Sequence, residues 1–152
     1  MRIIVGADEA GVDYKDRIMA DLEADSRITE VIDIGVNRAD EDFTRPYPYV
    51  GIAAGEMIRD GKADRAILFC GTGIGVAIAA NKVPGHQPRQ PMICSPWRGP
   101  SCPTTARSSP WAQRVVGVEL ARRLAKEWIG YAFGSLSGSA AKVKVLSDFE
   151  GC

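Results

Sequence analysis

The sequence CGTGIG, at residues 70–75, joins a nucleophilic side chain to a glycine-rich turn. Cys70 ends the apolar run RAILFC, and the residues that follow the turn are typical of a helix. Glycines at positions 71, 73 and 75 would let backbone N–H groups approach a ligand, and the start of a helix favours negative charge. A cysteine beside that positive helix end is favoured as the thiolate, the form that acts as a base or a nucleophile. The motif therefore predicts a site for an anion and a reactive thiol, although a tight turn with a buried structural cysteine explains the spacing equally well.

Two further segments carry polar side chains that could join this site. Asp8 and Glu9 follow the apolar run RIIVGA, and Tyr47 lies in the polar stretch NRADEDFTRPYPY, which we expect to be a loop after the run EVIDIG. In an open parallel sheet, ligands bind beyond the carboxyl ends of the strands, where these segments would meet. Asp8 could instead be a surface turn residue, and Tyr47 could simply pack against the sheet. A dinucleotide site is a poorer fit, because the glycines read GxGxG rather than GxGxxG and follow the third strand.

Strand and helix signals alternate along the chain, which predicts the parallel sheet that would position these residues. Short apolar runs predict buried strands, and apolar residues at helical spacing, such as Tyr14, Ile18 and Leu22, predict amphipathic helices. Gly61 is expected to end the second helix. The predicted strands are residues 2–7, 30–35 and 65–70, and the predicted helices are residues 12–25, 49–61, 75–83, 117–133 and a shorter one at 139–150.

Length and composition favour one soluble α/β domain spanning residues 1–152. The chain has 19 acidic and 19 basic residues, so its net charge of zero gives no reason to expect a nucleic-acid or membrane partner. No apolar run approaches membrane-spanning length, and the first residues lack the organisation of a signal peptide. The four cysteines form no CxxC pair, and the single histidine, His86, does not complete a convincing zinc site with them. We therefore expect a cytoplasmic protein with reduced thiols and no bound metal.

Four blocks of the sequence resemble one enzyme family in order and spacing: GADEAG, YPY, FCGTGIGVAIAANKVPG and QRVVGVELA. They are similar to the ribose-5-phosphate isomerase B and galactose-6-phosphate isomerase family, which also includes tetrulose-phosphate isomerases. The resemblance covers residues 1–85 and 113–150. It implies a Rossmann-like, three-layer αβα fold with a five-stranded parallel sheet, and a homodimer or homotetramer whose sites are shared between subunits.

The resemblance implies aldose–ketose isomerisation of a sugar phosphate through a cis-enediolate, without a cofactor. Cys70 would move the proton between C1 and C2 of the open-chain sugar, a general-base role. Thr72 and the backbone N–H groups of residues 71–75 would stabilise the enediolate oxygen, while Asp8 would hold sugar hydroxyls and Tyr47 would line the pocket. The family's catalytic residues map onto Cys70 and Thr72, and its substrate-binding residues map onto Asp8, Glu9, Tyr47, Gly71, Gly73, Ile74, Gly75, Arg114 and Lys142.

The resemblance also implies that basic residues of a partner subunit bind the phosphate. Arg114 in QRVVG matches one of them and Lys142 lies near a second, although either could be an ordinary solvated residue. Glu9 departs from the family, because the ribose enzymes usually carry histidine there, and a carboxylate would repel a nearby phosphate. Ribose 5-phosphate is the default substrate of the family, and Glu9 favours a tetrulose phosphate as the alternative. A non-catalytic module that binds a sugar phosphate or a nucleotide is a third alternative.

Residues 86–112 are unlike the rest of the chain. They hold six of the nine prolines and the only histidine, and they contain no acidic residue, leucine or valine. The family has a strand, a loop reading HDxYSxERA, a helix ending LSNNAQ and a further strand at this place. The coding sequence can be read in a shifted frame by joining the last base of each codon to the first two bases of the next. Permitted codons for residues 91–99 then give HDLFSVER, and continuing through residues 100–111 gives AVLSNN. We therefore hypothesise that residues 86–112 are translated out of frame, and an authentic proline-rich lid loop is the alternative.

We expect this segment to be irregular, because Pro96, Pro100 and Pro103 exclude a continuous helix. The histidine and asparagine that open the sugar ring in the family align with Pro103 and Thr104. Weak or absent turnover of a cyclic substrate follows, and an open-chain tetrose phosphate would be affected less.

Overall fold

The computed structural model describes residues 1–39, 44–84 and 108–131, together with residues 141, 142, 145 and 148. Within these ranges strands and helices alternate as predicted, and the four separate C-terminal residues are helical. The strands are β1 (Arg2–Ala7), β2 (Glu30–Asp33), β3 (Arg65–Cys70) and β4 (Ser108–Ala112), and the helices are α1 (Val12–Glu23), α2 (Tyr47–Arg59), α3 (Ile74–Asn81) and α4 (Val118–Trp128).

The four strands form one parallel sheet in the order β2-β1-β3-β4. Five of the six residues are buried in each of the two central strands, β1 and β3. Strands that are covered on both faces read as continuous apolar runs, which is why RIIVGA and RAILFC are recognisable in the sequence. The parallel, helix-covered sheet confirms the Rossmann-like α/β prediction.

Helices cover both faces of the sheet, because successive side chains of a strand point to opposite sides. One core cluster joins Ile3, Val5, Ala7, Ile67 and Phe69 of the strands to apolar residues of α1 and α4. A second cluster joins the intervening strand residues, Cys70 among them, to apolar residues of α2 and α3. The side chain of Cys70 therefore lies on the α2 and α3 face.

Two predictions about the sheet need correction. We predicted five strands, but the described residues form four. The remaining predicted strand would fall within residues 86–107, which lie outside the described residues. We also predicted that all of residues 86–112 would be irregular, which is wrong for β4, because Ser108–Ala112 pairs with β3 from Ala66 to Cys70. Among the described strands β4 is an edge, where a proline such as Pro110 is tolerated.

The start of α2 also differs from the prediction. The sequence predicts that Tyr47 lies in a loop, but it is the first residue of α2, after Pro46 in an extended conformation. Pro48 stands in the first turn of this helix, where its missing N–H would have no partner within the helix. The helix ends at Arg59, and Gly61 has a φ of 69°, a left-handed conformation that suits the predicted helix end.

Candidate active site

The carboxyl ends of β1, β3 and β4 bring three segments of the chain together. Asp8 follows β1, Gly71 follows β3, and Gln113 and Arg114 follow β4. The backbone N–H of Gln113 donates to the carbonyl of Cys70 at 3.1 Å, and that of Arg114 donates to the carbonyl of Gly71 at 3.0 Å. The pairing of β4 with β3 thus continues past the strands and places Arg114 beside the glycine turn.

Cys70 is the last residue of β3, and it is only 3% exposed. The turn that follows folds back onto it, because Gly73 adopts a φ of 75° at the N-cap of α3. This conformation suits glycine and aims the Gly73 N–H at the Cys70 sulfur, at 3.1 Å. The Gly73 N–H thus holds the sulfur at the start of α3, beside the glycine turn. The geometry therefore suits Cys70 for base chemistry.

The glycines of the turn admit side chains from other elements. A Cβ on Gly71 would lie 3.4 Å from the Cδ and Nε atoms of Arg114, so the arginine stem lies against this residue. A Cβ on Gly75 would lie 2.7 Å from the Tyr47 ring, which therefore packs directly on the first turn of α3. Tyr47 remains 40% exposed, and its predicted role in lining a substrate pocket stays a prediction.

Asp8 is nearly buried, and its Oδ1 accepts the Ala10 N–H at 3.0 Å. Burial, followed by the negative charge of Glu9, raises the pKa of the Asp8 carboxyl. The backbone N–H groups of Ala10 and Gly11 and the charge of Arg114 oppose this shift without cancelling it. A carboxyl whose pKa is raised can donate a hydrogen bond to a ligand oxygen more readily than an ordinary aspartate.

The structure brings most of the predicted site residues to one edge of the sheet. The residues of the turn are contiguous, and the side chains of Thr72 and Ile74 are exposed there. Glu9 is also exposed beside Asp8. The residues brought together are Asp8, Glu9, Tyr47, Cys70, Gly71, Thr72, Gly73, Ile74, Gly75 and Arg114.

The two predicted phosphate ligands have different outcomes. Arg114 lies against Gly71 of its own chain, so it belongs to this edge of the sheet. Its binding of a phosphate in the site of a partner subunit stays a prediction. Lys142 is exposed in a helical segment, and no hydrogen bond or ion pair joins it to the site among the described residues.

Two residues near this edge were not singled out in the sequence. Lys15 is fully buried, and its Nζ contacts Asp33 at 2.5 Å, Asn37 at 2.9 Å and Asp16 at 3.0 Å. Burial alone lowers the pKa of Lys15, but its hydrogen bonds to the two carboxylates outweigh that effect and raise it. The signal was present, because Lys15 lies at helical spacing on the apolar face of α1. The other is Gln113, the neighbour of Arg114, for which no local pattern signals a role.

A groove of about 990 Å³ lies between α1 and α4, away from this edge. Charged side chains line it, but many of them are already paired: Arg122 contacts Asp21 and Glu119, and Arg27 contacts Asp25. The Arg122–Asp21 pair joins α4 to α1, so the groove is explained by helix packing. Within the described residues, no three His, Cys, Asp or Glu side chains lie close enough to ligate a metal ion. None of the described helices has the length and hydropathy needed to span a bilayer.

Comparison with known proteins adds independent information. A family model described as Ribose/Galactose Isomerase matches residues 3–88. The chain is 45% identical over 151 residues to D-erythrulose-4-phosphate isomerase 2 of Mycolicibacterium smegmatis, covering 99% of this chain and 98% of that protein. It is 33% identical over 150 residues to D-erythrulose-4-phosphate isomerase of Pectobacterium atrosepticum, covering 99% and 95%. Its structure is similar to that of ribose-5-phosphate isomerase B of Clostridium thermocellum, with a TM-score of 0.78, 31% identity and coverage of 99% and 98%.

Proposed function

The chain belongs to the ribose/galactose isomerase family, and from this premise we propose that it interconverts an aldose phosphate and a ketose phosphate with Cys70 as the base. The observation that carries the proposal is the placement of the Cys70 sulfur. It lies at the end of a central strand, accepts the Gly73 N–H, and faces the turn against which Tyr47 and Arg114 pack. A plain structural cysteine would not require these side chains to meet at the same turn.

In the proposed reaction the Cys70 thiolate removes the proton from C2 of the open-chain aldose. The C–H electron pair forms the C1–C2 double bond, and the carbonyl oxygen becomes the enediolate oxygen. The thiol then returns the proton to C1, and a proton moves from the C2 hydroxyl to O1, which leaves the ketose. Backbone N–H groups of the turn and the Thr72 hydroxyl would stabilise the enediolate oxygen. Asp8 would hold the sugar hydroxyls, whose O–H groups its carboxylate oxygens can accept.

Arg114 is the proposed ligand for the phosphate. Its stem lies against Gly71 of the glycine turn, and its positive charge reaches Asp8 at the same edge, which would place its donors near a bound anion. Hydrogen bonds from arginine to phosphate are charge-assisted and often bidentate. The N-termini of α1 and α3 begin at the same edge and add positive potential. Lys142 would supply a second positive charge.

We propose that the protein works as a homodimer or homotetramer. Four large apolar side chains are exposed on the two helices beside the site, at positions 49 and 52 of α2 and 74 and 78 of α3. The spacing of three and four residues aligns each pair on one helix face. Exposed apolar pairs of this kind support association with a second copy, and Ile74 belongs to the glycine turn itself.

Two substrates follow from the family. Ribose 5-phosphate is its default substrate, and a ribose-5-phosphate isomerase B is among the similar structures. D-Erythrulose 4-phosphate is the candidate that we favour for the chain as it stands, because two extensively matching relatives carry that name. A tetrose phosphorylated on O4 cannot close a furanose ring, so its isomerisation needs no ring-opening group. Isomerisation of this substrate would therefore tolerate the loss of the ring-opening histidine and asparagine that the family carries within the segment corresponding to residues 86–112.

The base is tested by replacing Cys70 with alanine. A lost general base lowers kcat by about 10²- to 10⁴-fold, whereas binding of inorganic phosphate, followed by calorimetry, should change by less than about threefold because Arg114 is untouched. Cys152→Ala is the matched control and should keep full activity. If Cys70→Ala retains full turnover, the cysteine mechanism is wrong.

The substrate and the frame hypothesis are tested together in a coupled isomerase assay. The chain as written is compared with a version whose residues 86–112 are restored to the family frame, each with both sugar phosphates. We expect the written chain to isomerise erythrulose 4-phosphate, and turnover of ribose 5-phosphate to require the restored segment. Equal activity of the two versions on ribose 5-phosphate would show that the proline-rich segment is authentic.

A further inference from the structure

Helix α1 begins without a capping side chain of its own. Its N-cap is Gly11, which has no side chain to bond the free N–H groups of the first turn. Glycine is required there, because a Cβ would lie 2.7 Å from the carbonyl carbon of Phe69 in β3. The close approach of α1 to the central strand therefore excludes the residues that usually cap a helix.

Gln113 supplies this cap from the other end of the sequence. Its Oε1 accepts the N–H of Tyr14 at 3.2 Å, and its Nε2 donates to Asp13 at 3.3 Å. The Tyr14 hydroxyl in turn donates to the carbonyl of Val116 at 2.6 Å. The segment that follows β4 is thus tied to the first turn of α1 on both sides of Arg114.

Arg114 depends on this segment for its position. Its backbone N–H is bonded to Gly71 and its stem lies against the same residue. Its guanidinium makes no hydrogen bond or ion pair with the described residues, although its charge acts on Asp8. A long arginine side chain loses substantial rotamer freedom when it binds a ligand. A backbone that is already fixed lowers the conformational entropy that is lost on binding. The bonds of Gln113 to α1 provide one such restraint immediately before Arg114.

We propose that Gln113 is a positioning residue: by capping α1 it holds the Arg114 guanidinium where the substrate phosphate binds. This inference rests on the proposed function for the identity of the anion. It assigns Gln113 no contact with the substrate and no part in the proton transfer. The effect of Gln113 on phosphate binding must therefore pass through Arg114.

The test is a double-mutant cycle read by the binding of inorganic phosphate. Gln113→Leu removes both hydrogen bonds at similar volume, and we expect the Kd for phosphate and the KM for the sugar phosphate to rise about fivefold, with kcat within twofold. In the Arg114→Ala background the same change should weaken phosphate binding by less than about twofold. Gln113→Ala replaces the leucine variant if that variant does not fold.

Arg122→Gln is the matched control for a merely structural effect. It removes the paired bonds to Asp21, at 2.6 and 2.7 Å, that join α1 to α4, and it should lower the Tm without changing the phosphate Kd. The inference is overturned if the wild type does not bind phosphate, if Gln113→Leu leaves the Kd unchanged, or if its effect persists in full without Arg114. Because this binding needs no turnover, a protein that binds phosphate through Gln113 and Arg114 but isomerises no sugar would refute the proposed function alone.

Discussion

Replacing Gly11 by alanine would place a methyl group in space already occupied by strand β3. The new Cβ would lie 2.7 Å from the carbonyl carbon and the Cβ of Phe69, and 2.8 Å from its carbonyl oxygen. Phe69 belongs to a strand that is hydrogen-bonded on both sides, so it cannot retreat. Helix α1 must instead move away by about 0.7 Å to reach an ordinary contact of 3.4 Å.

Three effects set the size of the expected loss. Forcing a methyl group into a packed interior costs about 1–3 kcal/mol. The hydrogen bond from the Gly11 N–H to the carbonyl of Asp8, now 3.0 Å, would be strained, and alanine is a poorer N-cap than glycine. Together we expect the free energy of unfolding to fall by about 3 kcal/mol, which lowers the Tm of a chain of this size by about 6–12 °C.

The measurement is urea unfolding with a thermal scan, and Gly75→Ala is its control. A Cβ on Gly75 is equally close, 2.7 Å, to the Tyr47 ring, but that ring is the exposed end of a side chain and can swing aside. Alanine is also the better helix former by up to about 1 kcal/mol, so the net change in stability should be within about 1 kcal/mol of zero. Equal losses in the two variants would refute the argument that the neighbour's freedom to move decides the cost.

Lys15→Met should lower the free energy of unfolding at pH 7 by about 3–5 kcal/mol in urea titrations, because it leaves Asp33 and Asn37 without the buried ammonium. Since the pKa of Lys15 is raised in the folded protein, the difference from the wild type should persist from pH 7 up to the usual 10.5 and shrink as the pH rises through the folded pKa; a loss below 1 kcal/mol at pH 7 would contradict this. Asp8→Asn should remove isomerase activity yet make the protein more stable than the wild type at pH 7, because the raised pKa of Asp8 means that its stabilising effect is complete only below pH 3.8 and declines as the carboxyl ionises. Urea unfolding at pH 3 and pH 7 checks this, and a less stable Asn variant at pH 7 would count against it.

One structural observation bears on the hypothesis that residues 86–112 are translated out of frame. Trp111 is buried in β4, and its Nε1–H has no hydrogen-bond partner within the described part of the chain. Buried tryptophan N–H groups are usually bonded, and an unsatisfied buried donor costs about 1–3 kcal/mol. A tryptophan read in place of another residue would account for this, although the hypothesis itself stays a prediction. The rest of the segment, up to residue 107, lies outside the described residues.

The sequence by itself predicted the elements whose signals are local. The strands RIIVGA and RAILFC are continuous apolar runs because helices cover both of their faces, and each is found where it was predicted. The turn after Cys70 is recognisable because glycine spacing reports close backbone approaches. The helices follow from apolar periodicity, with ends that shift by a few residues. Since the carboxyl ends of parallel strands share one edge, these local signals were sufficient to place Asp8 and Cys70 at the same edge of the sheet.

Only the tertiary structure decided the features that depend on residues far apart in the chain. Strand β4 has no local strand pattern, and its strand conformation depends on its pairing with β3. The cap of α1 comes from Gln113, because the approach of α1 to Phe69 leaves room only for glycine at its own N-cap. The buried Lys15 depends likewise on the carboxylate of Asp33, which β2 brings to it. A local pattern reports the surroundings that a residue's near neighbours create, whereas these contacts exist only after the sheet has brought distant segments together.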